Sequence, residues 1–345
     1  MPIGVAIDKL LEVEQLPGES VESKEHEDHY NKICEDYNHL METLPKGNGW
    51  RAKHLYNYNG FWISPKYIKA NLLLHAYFKP QPTDIFLASF MKSGTTWLKA
   101  LIFSTLTRHL YSFSDHYLHH HGPQSTFPFL ESECENFPIT DFTHMSSPRL
   151  FATHFPRTLL PESMTSCKFV YICREPKDVL VSKWVFMNKI REKDLPPFSF
   201  DEAFDLFCEG VSNYGPFWEH VLSYWRASLE SPEKILFLKY EEVKRQPEVV
   251  VRRLAAFMGI PFMAEEVEKG VVENIVKLCS FENLSNLEVN KKGVEKFGTV
   301  EVENREFFRK GEIGDWRNYL SDEMKQRIDG IIDEKFKGSG LIFGS

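Results

Sequence analysis

Lys92, Ser93, Gly94, Thr95 and Thr96 place a cation, three hydroxyls and a glycine in five consecutive positions. They join an apolar run, DIFLASF (84–90), to a helical stretch, TTWLKALIFSTL (95–106). A helix start presents amide N–H groups without intrahelical acceptors and the positive end of the helix dipole, so it cradles anions. Gly94 lets the backbone approach closely, the two threonine hydroxyls add donors, and Lys92 adds a point charge. The helix is expected to begin near Trp97, capped by Thr95 or Thr96. Nucleoside triphosphatases need a glycine four residues ahead of a Gly-Lys pair. Here the lysine comes two residues before the loop's only glycine. Magnesium-dependent hydrolases also want an aspartate at the end of an apolar strand. The next such run, KFVYICR (168–174), ends on Arg174 instead. A cation there points to direct binding of another anionic group with no metal between.

Two further pieces extend this site. Pro176 suits the first turn of the helix after Arg174, and Ser182 lies two turns along it. Near the C-terminus, FFRKGEIGDW (307–316) carries Arg309, Lys310 and Gly311 as a short basic loop. Such a loop alone is usually solvated surface. Three separate cationic pieces in a chain of net charge −8 point instead to a ligand with more than one anionic group. The catalytic candidate is His154 in LFATHFP (150–156), at the end of a short apolar run. A base at the end of a parallel strand faces the crevice where alternating folds bind ligands. His116, His119, His120 and His121 are the rival, as a metal site, but their loop has no matching carboxylate or cysteine. No metal is expected.

The elements that must hold these groups follow from the hydropathy pattern. DIFLASF, KFVYICR and KILFLKY (234–240) are short apolar runs suited to buried parallel strands. Helical stretches separate them, including DVLVSKWVFMNKI and SFDEAFDLFCEGV, the latter opening on a Ser199/Glu202 capping box. This alternation predicts one α/β domain, a central parallel sheet flanked by helices with a phosphate-binding strand–loop–helix. Residues 1–45 are polar and acidic and read as a mobile tail leading into a short surface helix, with the domain spanning 46–345. With 42% hydrophobic and 14% aromatic residues in 345, a sizeable core is expected. The net negative charge excludes global attraction to nucleic acid or anionic membrane. No run approaches the roughly 18 apolar residues of a membrane span, and the six cysteines show no paired C-x-x-C spacing. A reducing, cytoplasmic setting is expected.

Together, MKSGTTW, ATHFP, CREPKDVLVS, KYEEV and RKGEIGDW, in that order over roughly residues 50 to 345, resemble the cytosolic sulfotransferase family, its plant branch in particular. That resemblance implies sulfuryl transfer from 3′-phosphoadenosine 5′-phosphosulfate to a hydroxyl, leaving adenosine 3′,5′-bisphosphate and using no metal. It implies that Lys92, Ser93, Gly94, Thr95 and Thr96 hold the 5′-phosphate and bridging oxygen. Trp97, Phe281 (beside Ser280) and Tyr240 would stack on adenine. Arg174 and Ser182 would hold the 3′-phosphate, with Arg309, Lys310 and Gly311 closing over it, and His154 matches the general base. The acceptor pocket would be lined by Phe127, Phe129 and Phe186, helped by Phe61, Trp62 and Tyr67. An aromatic pocket suits a flavonoid or other phenolic; desulfo-glucosinolates, hydroxyjasmonate and steroids are the alternatives from plant relatives.

Two departures from the family pattern stand out. Ala152 replaces a lysine that many animal relatives carry two residues before the histidine. Arg317, Ser321, Asp322 and Gln326 occupy the fixed positions of the family's dimer pattern, so a monomer is expected. An ATP-dependent kinase or ATPase is the nearest rival enzyme, and a non-catalytic nucleotide-binding module the rival of another class.

Overall fold

The computed structural model describes residues 21–297 and 300–343. The first helix, α1 (Val21–Thr43), is longer than the short helix expected, running 23 residues. It docks rather than floats: Ile33 is buried, Tyr30 stacks on Phe137 at 4.4 Å, and its hydroxyl accepts from Lys69 Nζ at 2.9 Å. Scattered apolar residues on one helical face do this, a pattern that the acidic average composition masked. The tail expected over residues 1–20 lies outside the described residues.

A three-stranded antiparallel sheet, β1 (Lys46–Asn48), β2 (His54–Tyr58) and β3 (Phe61–Ile63), leads into α2 (Pro65–Tyr77). The central sheet then alternates with helices: β4 (Ile85–Ser89), α3 (Thr95–Leu106), β5 (Leu150–Thr153), β6 (Lys168–Cys173), α4 (Pro176–Lys189), α5 (Phe200–Cys208), α6 (Phe217–Glu230) and β7 (Ile235–Lys239). Its order is β5-β4-β6-β7, every pair parallel. The three apolar runs and the ATHFP strand thus form the single parallel sheet that the alternation predicts. Helices α7 (Pro247–Met258), α8 (Val271–Leu278) and α9 (Asp322–Phe336) complete the layers, with a hairpin of β8 (Val294–Phe297) and β9 (Val300–Glu303) between α8 and α9.

Strand alternation divides the core in two. Phe86, Ala88, Phe151, Phe169 and Tyr171 belong to one apolar cluster, and Ile85, Leu87, Ala152, Val170 and Ile172 to the other. Both faces of β4, β5 and β6 are therefore dry, which is why these runs read as continuous apolar segments. Across the first face Phe151, Phe86 and Phe169 stack in register at 5.3 and 4.9 Å, accounting for part of the heavy phenylalanine usage. Because β5 and β6 lie on opposite sides of β4, the chain reverses its winding there, opening a crevice beyond the strands' carboxyl ends.

Candidate active site

All the strand ends deliver chemistry to that crevice. The loop after β4 carries Lys92–Gly94, β5 ends one residue before His154, β6 ends one residue before Arg174, and β7 leads straight into Tyr240. One cavity of about 470 Å³ is lined by residues from all four, by Phe281 and by the Arg309–Gly311 loop. The sequence pieces that lay up to more than two hundred residues apart therefore meet in one space.

Helix α3 starts two residues earlier than expected. Gly94, with φ +118°, is its N-cap and Thr95 its first residue, so neither threonine caps it. The reason is steric. A Cβ at position 94 would lie 2.9 Å from Tyr240 Cδ2 and 3.1 Å from Ile172 Cδ1, and its φ is one that side chains disfavour. The first helical bond runs from Leu98 N–H to the Gly94 carbonyl, leaving the amides of Thr95, Thr96 and Trp97 for an anion. Lys92 also has positive φ, 71°. Its ammonium lies 4.0 Å from the Phe186 ring centroid. Burial first, then the positive charges of Arg309 and Arg174, lower its pKa from 10.5 to about 7. Ser93 is buried and its Oγ has no partner. Thr96 Oγ1 accepts from Gln124 Nε2 at 2.9 Å.

His154 is tied to the same loop. The Ala88–Thr153 pairing of β4 with β5 puts Ser89 and His154 side by side one step later. His154 Nδ1 is 2.8 Å from the Ser89 carbonyl, which can only accept, so in the neutral ring Nδ1 carries the proton. Nε2 is left with a lone pair. Ser89 Oγ in turn pairs with Thr95 Oγ1 at 2.7 Å, joining His154 to the start of α3 through one residue. Burial, aided by the charges of Lys99, Lys183 and Lys92, lowers the His154 pKa to about 4 despite the Ser89 bond. Behind it, His220 Nε2 donates to the His154 carbonyl at 2.9 Å and its Nδ1 lies 2.9 Å from the Tyr171 hydroxyl, fixing the backbone at His154.

The two basic pieces at the other end are one assembly. Arg174, buried, lays its guanidinium 4.4 Å from the Tyr240 ring and donates to the Glu312 carbonyl at 2.6 Å. Asp178 on α4 accepts from Gly314 N at 2.7 Å and from Trp316 N at 3.1 Å, stapling the loop to the helix. Arg309 and Lys310 both pair with buried Asp315, the latter at 2.5 Å. Although burial opposes it, Lys310, Arg309 and Asn318 hold the Asp315 pKa down at about 2. Arg174 Nε and Arg309 Nε, both buried, have no partner. Gly311 has φ +65°, and a Cβ there would lie 2.5 Å from Phe281 Cδ2. Trp97 stands edge-on to Tyr240 at 5.6 Å, and Ser182 lines the cavity with both. Ser280 caps the helix Phe281–Asn286 by accepting from Asn283 N at 3.1 Å, which aims Phe281 into the site.

The acceptor end departs further from expectation. Phe129, Phe186 and Tyr67 line the cavity, but Phe127, Phe61 and Trp62 do not. Phe127 is 1% exposed within the core that packs on α3, and its carbonyl accepts from Lys99 Nζ at 2.8 Å. Pro128, next in the chain, pairs its carbonyl with Ala152 N at 2.8 Å, and that bridge sends Phe127 inward and Phe129 to the cavity. Phe61 is likewise core, and Trp62 covers Gly47. Sequence reasoning missed Glu131, Lys99, Asn213 and Tyr214. Glu131 is buried, and burial pushes its pKa up to about 7. Its Oε1 accepts from Thr153 Oγ1 at 3.0 Å, from Phe155 N at 3.1 Å and from His154 N. Lys99, enclosed within α3, has its pKa lowered to about 7 by burial. A lysine inside WLKALIF and a glutamate inside PFLE were the available signals. The histidine loop is used locally: His116 Nδ1 accepts from Leu118 N at 3.2 Å and His120 pairs with Asp115 at 2.7 Å.

Known proteins match this arrangement. A profile of the sulfotransferase domain matches residues 82–340. Cytosolic sulfotransferase 15 of Arabidopsis thaliana is 45% identical over 319 residues, covering 90% of this chain and 87% of the relative. Flavonol 3-sulfotransferase of Flaveria bidentis is 46% identical over 309 residues, covering 88% of this chain and 98% of its own. A crystal structure of a candidate steroid sulphotransferase from Arabidopsis thaliana superposes with a TM-score of 0.71 at 37% identity, covering 96% of this chain and 100% of that one. A mouse sulfotransferase complexed with PAP shares the fold at 24% identity and a TM-score of 0.62, covering 83% of this chain and 96% of that one.

Proposed function

The chain belongs to the sulfotransferase family, its plant branch, and we propose that it moves a sulfuryl group from 3′-phosphoadenosine 5′-phosphosulfate to a hydroxyl of a small plant metabolite. The residues present suit that donor. Ser93 Oγ, Arg174 Nε and Arg309 Nε are buried polar atoms without partners, at the two ends where a donor with two anionic groups needs them. Buried polar groups are rarely left so, and an anion satisfies all three. Lys92 and the amides of Thr95–Trp97 hold the 5′ end, and Arg174, Ser182 and the Arg309–Gly311 loop the 3′ end. Trp97, Tyr240 and Phe281 provide the aromatic walls between. When bound, the donor supplies a sulfuryl group on a phosphate leaving group.

The observation that carries the reading is the Ser89 link, which ties the Nδ1 side of His154 to Thr95 at the start of the cradle and leaves Nε2 without a proton. His154 takes the proton of the acceptor hydroxyl as its oxygen bonds to sulfur, and Lys92 neutralises the charge left on the departing oxygen. Anionic charge at Lys92 also offsets one of the cations that depress His154, so donor binding strengthens the base. A kinase or ATPase reading is not favoured, since Arg174 directly follows β6, where such an enzyme holds its metal through a carboxylate. Phe129, Phe186 and Tyr67 suit an aromatic acceptor, a flavonoid or related phenolic. We place the enzyme in the cytoplasm as a monomer over residues 46–345; among the described residues no helix is long and apolar enough to cross a membrane. Incubation with donor labelled in its sulfate, against a panel of phenolics, desulfo-glucosinolates, hydroxyjasmonate and hydroxysteroids, tests the reading. Label on a phenolic supports it; label on another class alone moves the acceptor; label on none refutes sulfuryl transfer.

A further inference from the structure

The wall of the cavity around His154 carries two polar atoms that the protein does not use. Glu131 is 2% exposed and Asn213 8% exposed, and both line the cavity. Glu131 spends Oε1 on three donors, one of them the His154 amide, while Oε2 has no partner. The Asn213 backbone carbonyl accepts from Lys183 Nζ at 2.7 Å and its Nδ2 donates to Ser64 Oγ at 3.2 Å, while Oδ1 has no partner. Both sit against the base: Glu131 through that amide, Asn213 through Tyr214, whose ring is 5.6 Å from the His154 ring. A buried acceptor without a donor is costly, so the pair describes a ligand that brings donors to the positions flanking the reacting hydroxyl.

The class of donor can be narrowed. An ammonium group would add a further positive charge to a cavity that Lys92 already lines, next to a histidine whose charged form burial, Lys99, Lys183 and Lys92 already disfavour. A carboxylate would face Glu131 directly. The rim cations are engaged, Lys66 with Glu135 at 2.7 Å and Arg51 with Glu192 at 3.6 Å, so they do not call for an anion. A hydroxyl meets neither objection. It also pairs with the Asn213 amide whichever of its two atoms faces the cavity, because a hydroxyl both donates and accepts.

We propose that the acceptor of this site carries at least one hydroxyl besides the one that reacts, bonded to the free oxygen of Glu131, with Asn213 receiving a further one. This rests on the sulfuryl-transfer reading above and narrows its acceptor to polyhydroxylated compounds. A site built to bind a hydroxyl rejects the analogue that lacks it, because its own groups are then left unpaired. The acceptor with extra hydroxyls should therefore be favoured in kcat/KM by about tenfold to a hundredfold.

The test compares 3-hydroxyflavone with quercetin, and 4-nitrophenol with 4-nitrocatechol, using labelled donor and the full chain at pH 8. The quantity read is the ratio of kcat/KM within each pair, which cancels losses common to both members. Wild type should favour the polyhydroxylated member about tenfold or more. Glu131→Gln retains a carbonyl oxygen for the three donors but replaces the free oxygen with an amide that cannot accept, and should lower that ratio about tenfold. Asn213→Ala should lower it in the quercetin pair. A wild-type ratio near one in both pairs overturns the inference whether or not the variants fold, while leaving sulfuryl transfer intact. A ratio unchanged in a folded Glu131→Gln protein also overturns it. Label transferred to none of these acceptors, nor to any class in the acceptor panel above, would refute the transferase reading itself and this inference with it.

Discussion

Raising the pH should weaken donor-site binding through Lys92 alone, and the size of the effect follows from its surroundings. In the free site, burial and the nearby Arg309 and Arg174 charges lower its pKa from 10.5 to about 7. A bound phosphate replaces lost hydration and opposes those charges, so the pKa returns toward the ordinary lysine range. The sign is fixed by the direction of the shift. Above pH 7 the free protein carries a neutral amine while the complex carries an ammonium, so binding takes up a proton. Affinity then falls by up to about tenfold for each pH unit above 7 and is flat with respect to this group below it. Between pH 7.5 and 9.5 the loss should be of the order of 50- to 100-fold. Titration of adenosine 3′,5′-bisphosphate by calorimetry, in buffers of different ionisation heat, reads both numbers. Wild type should absorb close to one proton near pH 8.5, and Lys92→Met should bind weakly, with that uptake gone. Wild-type affinity that stays level from pH 7.5 to 9.5, or equal uptake in both proteins, would refute the assignment of Lys92 to the phosphate end.

Three more outcomes follow from the geometry. His154→Ala should lower turnover by about 10²-fold or more with bisphosphate binding nearly intact; wild-type kcat/KM should stay level as pH falls through 6.5 and drop only near 4, and a limb at 6.5 would contradict the buried, cation-flanked ring. Arg309→Ala should weaken adenosine 3′,5′-bisphosphate by about 1.5–3 kcal/mol, the cost of one charge-assisted bond, while adenosine 5′-monophosphate is barely affected; equal losses for both would mean the loop does not read the 3′-phosphate. Excess EDTA should leave sulfuryl transfer unchanged, whereas Lys92→Ala should cripple it, Ala152 offering no second cation; activity lost to chelator and restored by Mg²⁺ would reverse the reading.

The sheet was legible because β4, β5 and β6 are dry on both faces. A five- to six-residue run with no polar gap, repeated between helical stretches, leaves few other architectures. The donor end was legible for a related reason: Lys92, Gly94 and Arg174 each sit within a few residues of a strand end, so local sequence gives their place. Phe127 and Phe129 show where this fails. Both are phenylalanines in one short loop, and only the bridge from Pro128 to Ala152 decides which one reaches the cavity. That is a contact between segments, and no local pattern carries it. The helix start at Gly94 was hidden for the same reason, since the clash that demands glycine comes from Tyr240, far along the chain. Helix α1 was underestimated because its sparse apolar positions find their partners only in α2 and near Phe137.

The cations of the donor end raise a physical difficulty that the two buried aspartates resolve. Lys92, Arg174, Arg309 and Lys310 line one cavity, and without an anion they repel one another; burial first, and then the charges of Arg309 and Arg174, lower the pKa of Lys92. A site left to collapse or splay would spend binding energy on reassembly at each turnover. Asp315, ionised down to about pH 2, pairs with Arg309 and Lys310 and keeps them in the loop. Asp178 is 0% exposed and satisfied by the amides of Gly314 and Trp316, with Arg174 at 3.6 Å. Asp315 therefore holds Arg309 and Lys310 within the loop, and Asp178 both holds Arg174 and fixes the loop to α4. Neither neutralises Lys92, which alone is left to respond to the ligand. Around Arg174, Arg309 and Lys310 two carboxylates offset part of three positive charges and tie the groups in place without an anion. The 5′ half, where bonds are made and broken, keeps the cation whose charge state depends on what is bound.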